Sequence, residues 1–320
     1  MTLRTALTEL LGIEHPILSA PMAGVAGGAL AGAVSQAGGL GLVGGGYIDP
    51  DWIEREWTAL GNARAGIGFI TWRLDGAPGV LDAALARRPA AVMLSFGDPA
   101  PYLPQVRAAG AVAICQVQTV ADARLAAAAG AQVIVAQGAD AGGHGAARGT
   151  FALVPAVVDA VAPLPVLAAG GVGDGRGLAA ALTMGAAGVL VGSRFYASRE
   201  AQARPEAKDR AAAASGDNTV QSSVFDRVRG FDWPAPFRLR TLRNRFTERW
   251  HGRDAELADG IDAVREDYAR AAEAGDFDEA AVVVGEAADL IRDVPAAGDL
   301  VRRMVAEAED ALRRGAGKIS

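Results

Sequence analysis

Eight short apolar runs, each followed by a glycine or polar turn and then an alanine-rich amphipathic stretch, constrain this chain more than any other feature. The runs fall at 17–20, 39–43, 65–70, 91–95, 112–117, 133–137, 165–169 and 187–191. Strands buried on both faces read this way, as near-continuous apolar segments rather than alternating ones. Helix-like segments lie between them at 28–37, 50–60, 78–86, 100–108, 120–129, 154–161 and 175–184. Asp49-Pro50, Asp98-Pro99, Thr119 and Asp174 supply starts, because a short side-chain oxygen accepts the N–H groups that a first helical turn leaves unpaired. Gly38, Gly61, Gly110, Gly130 and Gly185 suit the left-handed residue after a last turn. This alternation predicts βαβ units and a parallel sheet. Eight repeats predict an α/β fold, a (β/α)8 TIM barrel, with an open six-stranded sheet plus a separate domain as the alternative.

The pattern changes after Phe195. Segment 198–215 reads as the eighth barrel helix, and 218–237 is irregular and rich in Asp, Ser and Pro. Helices are expected at 239–251, 260–273, 278–291 and 299–314, with no strand among them. The chain therefore divides into a barrel at 1–215 and a C-terminal helical segment at 216–320, over or beside the barrel mouth.

Of 320 residues, 51% are hydrophobic, enough for a large core. A net charge of −6 argues against nucleic acid or an anionic membrane as partner. The low-polarity stretch 17–47 is broken by Pro21 and many glycines and lacks flanking Lys or Arg, so no membrane span is expected. The single Cys115 permits no intrachain disulfide and reads as a small buried residue. With no secretory signal pattern at the N-terminus, a reducing, cytoplasmic setting is expected.

Barrels of this class keep their chemistry at the C-terminal ends of the strands. The sixth run ends in Gln137-Gly-Ala-Asp-Ala-Gly-Gly-His144, which places an imidazole on a glycine-rich turn. An imidazole exchanges protons near neutrality or holds positive charge beside an anion. His144 is therefore the candidate catalytic group; His15 and His251 lie outside such a context. No Cys/His/Glu cluster at ligand spacing surrounds it, so no metal is expected.

The seventh and eighth runs lead into Ala168-Ala-Gly-Gly-Val-Gly-Asp-Gly-Arg-Gly177 and Val189-Leu-Val-Gly-Ser-Arg-Phe195. Their glycines let backbone N–H groups approach an anion, and the following helix start adds positive potential. Gly170, Gly171, Gly192 and Ser193 are thus candidate phosphate-binding positions. Gln116 and Gln137 end adjacent strands with long amides that need partners, such as the edge of a flat heterocycle. Ala20-Pro21-Met22 could border that ring, and Trp72 could wall the pocket. Gly39-Leu-Gly-Leu-Val-Gly44 fits a dinucleotide pattern, but it is itself strand-like and reads as small-residue packing.

Together with Pro16-Ile-x-x-Ala-Pro-Met22, these motifs resemble the nitronate monooxygenases, formerly called 2-nitropropane dioxygenases. The resemblance covers the barrel and, more loosely, the tail. It implies an FMN-dependent TIM barrel with a helical appendage over the mouth. It also implies oxidation of alkyl nitronates by O2 to a carbonyl compound and nitrite. Gly170, Gly171, Gly192 and Ser193 would hold the FMN phosphate. Ala20, Met22, Gln116 and Gln137 would line the isoalloxazine, Gly142 and Gly143 would pass close to it, and His144 would be catalytic. Two positions depart from the family pattern: Gly68 stands where many relatives carry Asn, and Asp140 stands where Glu is usual. The scaffold is similar, too, to NADH:quinone reductases and flavin-dependent enoyl-acyl-carrier-protein reductases. An NAD(P)H-dependent flavin reductase is therefore the alternative function, and a non-catalytic flavin-binding protein the third. The expected partners are a small nitronate and O2, with a homodimer left open.

Overall fold

A computed structural model of the chain describes residues 3–318. Eight parallel strands form one sheet: β1 (Ile17–Ser19), β2 (Leu42–Gly44), β3 (Gly66–Ile70), β4 (Ala91–Ser95), β5 (Val112–Val117), β6 (Val133–Gln137), β8 (Val166–Ala169) and β9 (Gly188–Val191). Their order is β1-β9-β8-β6-β5-β4-β3-β2, and a parallel bridge between Leu18 and Leu40 brings the two ends together. The result is the TIM barrel that the eight apolar runs predict. Each expected strand is present, with boundaries moved by a few residues at most.

Strand side chains alternate between two layers. On β6, Val133 and Val135 join Leu18, Leu42, Met93, Ile114, Leu167 and Leu190 inside the barrel. Ile134 and Ala136 face the outer helices instead. Cys115 belongs to that outer layer, where burial pushes its thiol up to about 12. The helix Ala6–Leu11 adds Leu7 and Leu11 to the interior cluster and closes its lower end. The Gly39–Gly44 glycines serve packing, as expected: a Cβ on Gly41 would lie 2.1 Å from the Ala31 carbonyl oxygen.

Several elements differ from expectation. The helix Pro205–Ala212 packs Ala207 and Ala211 among Tyr196, Phe277 and Val282, away from the barrel wall. The eighth position in the wall is taken instead by the last helix, Ala297–Ala316, lodged against the helices Gly28–Gln36 and Gly175–Thr183. Its buried residues 297, 300, 301, 304, 305 and 308 trace one helical stripe. The close approach depends on Gly175, where a Cβ would lie 2.3 Å from the Met304 carbonyl oxygen. Residues beyond position 215 therefore pack against the barrel helices, and the stretch between the helices Ser193–Tyr196 and Ala297–Ala316 sets Arg229, Trp233 and Leu239 beside residues at the strand ends.

That stretch contains strands, contrary to expectation. Arg238-Leu-Arg-Thr-Leu242 is β11, not the start of a helix, because Leu239 and Thr241 bury one face at a period of two. It pairs antiparallel with β10 (Thr219–Ser222) and with β7 (Gly143–Gly145). The expected helix at 278–291 is also absent. The β-branched run Val282-Val-Val284 forms no helix, with 282 and 284 buried, and only Glu286–Leu290 turns, as a 3-10 helix.

Candidate active site

The alternation that places Val133 and Val135 inside the barrel also places Gln137 there at the strand's last position, and Gln116 likewise on β5. Gln116 Nε2 donates to Gln137 Oε1 at 3.2 Å and Gln118 Nε2 donates to the same oxygen at 2.7 Å. Gln137 Nε2 in turn donates to the carbonyl of His144 at 3.0 Å. The amides thus satisfy one another and tie the barrel's upper layer to the histidine's backbone.

After Gln137 the chain turns sharply. A Cβ on Gly138 would lie 2.1 Å from Thr150 Oγ1, and one on Gly142 would lie 2.6 Å from the Gly285 nitrogen. Asp140 Oδ2 accepts from the Thr150 N–H at 2.8 Å, so this carboxylate caps the helix Thr150–Val161. The chain then enters β7 at Gly143, whose φ of 83° suits glycine. His144 consequently sits on a strand, opposite Leu239 of β11, rather than on a free loop.

The imidazole is buried, and its Nε2 lies 2.9 Å from Asp226 Oδ2. Asp226 Oδ1 accepts from Arg229 at 3.0 Å. Trp233 stacks on the ring with centroids 3.4 Å apart, and Phe96 meets both rings edge-on. Burial holds the His144 pKa below its usual 6.5; Asp226 opposes that shift, and Arg229 reinforces it. The folded protein therefore takes up this proton later than the unfolded chain as pH falls. His144 should cost stability as pH drops below about 6.5, through its lowered folded value. Urea denaturation at pH 7.5 and 5.5 checks this: His144→Gln should reduce the loss between the two pH values.

Two joined cavities occupy the mouth. The larger, about 460 Å³, is lined by Ala20, Met22, Gln116, Gln137, Gly142, Gly143, His144, Gly192 and Ser193, among others. The smaller, about 60 Å³, lies between the ends of β8 and β9 and is lined by Gly170 and Gly171. The two share Ala20, Gln116, Gln137, Gly142, Gly192 and Ser193. All eleven candidate residues are thus brought to one place. Gly170 and Gly171 have φ of 99° and 74°, and a Cβ on Gly192 would meet nothing nearer than Ala20 Cβ at 3.6 Å. A Cβ on Gly170 would instead lie 2.8 Å from Thr150 Oγ1, so Gly192 is the position where a side chain would enter space shared by the two cavities.

Four contributors lie outside the sequence expectations: Asp226, Arg229, Trp233 and Gln118. The first three border His144 from the segment expected to be irregular. Trp72 is not a wall of the larger cavity but stands behind Trp233, with centroids 5.6 Å apart. At Gly68, a Cβ would lie 2.2 Å from Pro21 Cγ, so the Pro21 ring occupies the space a side chain there would need. His251 points to Ser222 Oγ at 3.1 Å and lines neither cavity.

A TIM barrel whose mouth combines glycine-rich loops, an amide-lined cavity and a buried histidine is, with the family match over most of the chain, that of a flavin-dependent oxidoreductase. The chain belongs to the nitronate monooxygenase family, which it matches over residues 4–66 and 75–307. It is 38% identical to the nitronate monooxygenase npaC of Metarhizium robertsii, over 89% of this chain and 88% of that one. Among solved structures it superposes on FabK from Thermotoga maritima with a TM-score of 0.85 and 30% identity, covering 99% of each chain. It superposes on a nitroalkane oxidase from Streptomyces ansochromogenes with a TM-score of 0.81 and 28% identity, covering 97% of this chain and 99% of that one. Among the described residues, no helix is long and apolar enough to cross a membrane.

Proposed function

We propose that the protein is an FMN-dependent enzyme that oxidises alkyl nitronates, or the nitroalkanes that yield them, with O2 to a carbonyl compound and nitrite. The observation that carries this reading is His144 beside Arg229 on the wall of a largely apolar cavity. Gly170, Gly171, Gly192 and Ser193 would hold the phosphate through backbone groups, since among the described residues no Lys or Arg lines the smaller cavity. Met22, Gln116 and Gln137 would border the flat ring. FMN, when bound, supplies the electron transfer and the reaction with O2.

The chain's own residues bind, exclude water and handle the proton. Arg229 offers a fixed positive charge to a substrate that is, or becomes, an anion. Trp233, Phe96 and Phe69 keep the cavity dry, which strengthens both interactions. His144, held below its ordinary pKa, is neutral at pH 7 and suits the role of base toward a nitroalkane α-proton.

One competing reading is an NAD(P)H-dependent reductase on the same scaffold. Steady-state O2 uptake and nitrite release with propyl-2-nitronate, beside NADH oxidation with a quinone, separates the two. Turnover with nitronate and none with NADH is expected; the reverse would replace this proposal with the reductase.

A further inference from the structure

We infer that Asp226 is a positioning residue, whose carboxylate keeps the His144 proton on Nε2 and leaves Nδ1 as the proton-accepting atom at the cavity. A carboxylate only accepts hydrogen bonds, so at 2.9 Å from Asp226 Oδ2 the His144 Nε2 must carry the hydrogen. A neutral imidazole has one such hydrogen, and its other nitrogen then presents a lone pair. Among the described residues nothing bonds Nδ1, and the ring borders the larger cavity.

The carboxylate is in no position to swing away. It lies on the helix Val224–Arg229, whose Val224, Phe225 and Val228 are fully buried against Phe246, Leu257 and Tyr268. Its second oxygen is held by Arg229. The imidazole is fixed independently, by its strand pairing with Leu239 and by the Trp233 stack. Two rigid elements from distant parts of the chain thus meet through one hydrogen bond.

Few other charges bear on this pair. Tyr47 and Tyr268 approach Asp226 from the loop after β2 and from the helix Ile261–Ala274, and burial raises both phenols, so they are neutral at pH 7. Arg240, beside Leu239, is paired with Glu286. Asp226 and Arg229 are therefore the charged groups that set the behaviour of His144.

With Nε2 committed to Asp226, neutral His144 has no N–H left for the oxygens of a nitro group. It faces the cavity as an acceptor, which is the form a base requires. The kinetic consequence rests on the proposed role of His144, whereas the location of the proton does not.

Two measurements on the holoprotein test this. The first is 15N NMR of histidine-labelled protein at pH 7.5, where only three histidines contribute and the loss of one signal in His144→Gln assigns it. The Nε2-protonated tautomer is expected, and an Nδ1-protonated His144 would overturn the inference whatever the substrate proves to be. The second is the pH profile of kcat/KM for 2-nitropropane in Asp226→Asn and Asp226→Glu. Removing the carboxylate withdraws support from the imidazolium, so the acid limb should move to lower pH and kcat/KM should fall roughly 10- to 100-fold. Asp226→Glu should restore the limb toward wild type and recover part of the rate. An Asn variant that keeps its flavin and an unchanged profile would contradict the assignment. If the Asn variant does not fold, the wild-type tautomer and the Glu variant decide.

Discussion

His144→Ala is expected to retain flavin and lose most turnover of 2-nitropropane, with kcat/KM falling by about 10²- to 10⁴-fold, the usual contribution of a positioned acid–base group. The backbone at residue 144 does not depend on the imidazole, so the cofactor should be retained. Residue 144 is held by pairing with Leu239 and by the Gln137 amide at its carbonyl, neither of which needs the side chain. Removing the imidazole leaves Asp226 paired with Arg229, so no uncompensated buried charge remains. Truncation does leave a space beneath Trp233 and costs some stability, roughly 1–3 kcal/mol by analogy with other buried deletions. A thermal melt beside the kinetics separates that cost from the chemistry. An unchanged kcat/KM in a flavin-loaded variant would remove His144 from the reaction.

The second large effect is expected at Gly192→Val. Here φ is −103°, so a side chain is tolerated by the backbone, and the first added carbon meets only Ala20 Cβ at 3.6 Å. The valine methyl groups would enter space shared by the two cavities. Crowding of this kind costs about 1–3 kcal/mol, or roughly 5- to 150-fold in flavin affinity. The protein should fold with a near-normal melting temperature and purify largely without flavin. Gly170→Val is a less clean probe, because its φ of 99° and a Cβ 2.8 Å from Thr150 Oγ1 would strain the fold itself. Full flavin occupancy in Gly192→Val would place the phosphate elsewhere.

The barrel is legible in the sequence because each strand is buried on both faces and each carries its own turn chemistry. The same local grammar exposes the loops that follow β6, β8 and β9, so all the candidate positions converge on the mouth. What local reading misses is the stretch between the helices Ser193–Tyr196 and Ala297–Ala316. Arg238-Leu-Arg-Thr-Leu242 has an amphipathic look that suits a helix until two partner strands appear on either side of it. Its partner β7 contains only glycine and histidine, with no β-forming character of its own. The wall position of Ala297–Ala316 is hidden for a related reason: its stripe is plain, but nothing local says which groove receives it.

Asp226 shows the limit most clearly. It lies 82 residues from His144, in a segment with no strong periodicity, and its importance comes only from where β11 and the helix Val224–Arg229 bring it. One signal was available. In a chain with only 6% aromatic residues, Phe231, Trp233 and Phe237 crowd into a few positions, and Trp233 proves to lie flat on the imidazole. A concentration of aromatic residues beside an otherwise irregular segment marks a stretch that packs against something specific.

The most direct test of the central claim is an anaerobic half-reaction. Oxidised, flavin-loaded protein is mixed with propyl-2-nitronate, and separately with NADH, while the flavin absorbance is followed in a stopped-flow instrument. The account predicts prompt reduction of the flavin by nitronate, its recovery when O2 is admitted, and no comparable reduction by NADH. Prompt bleaching by NADH with an inert response to nitronate would contradict it.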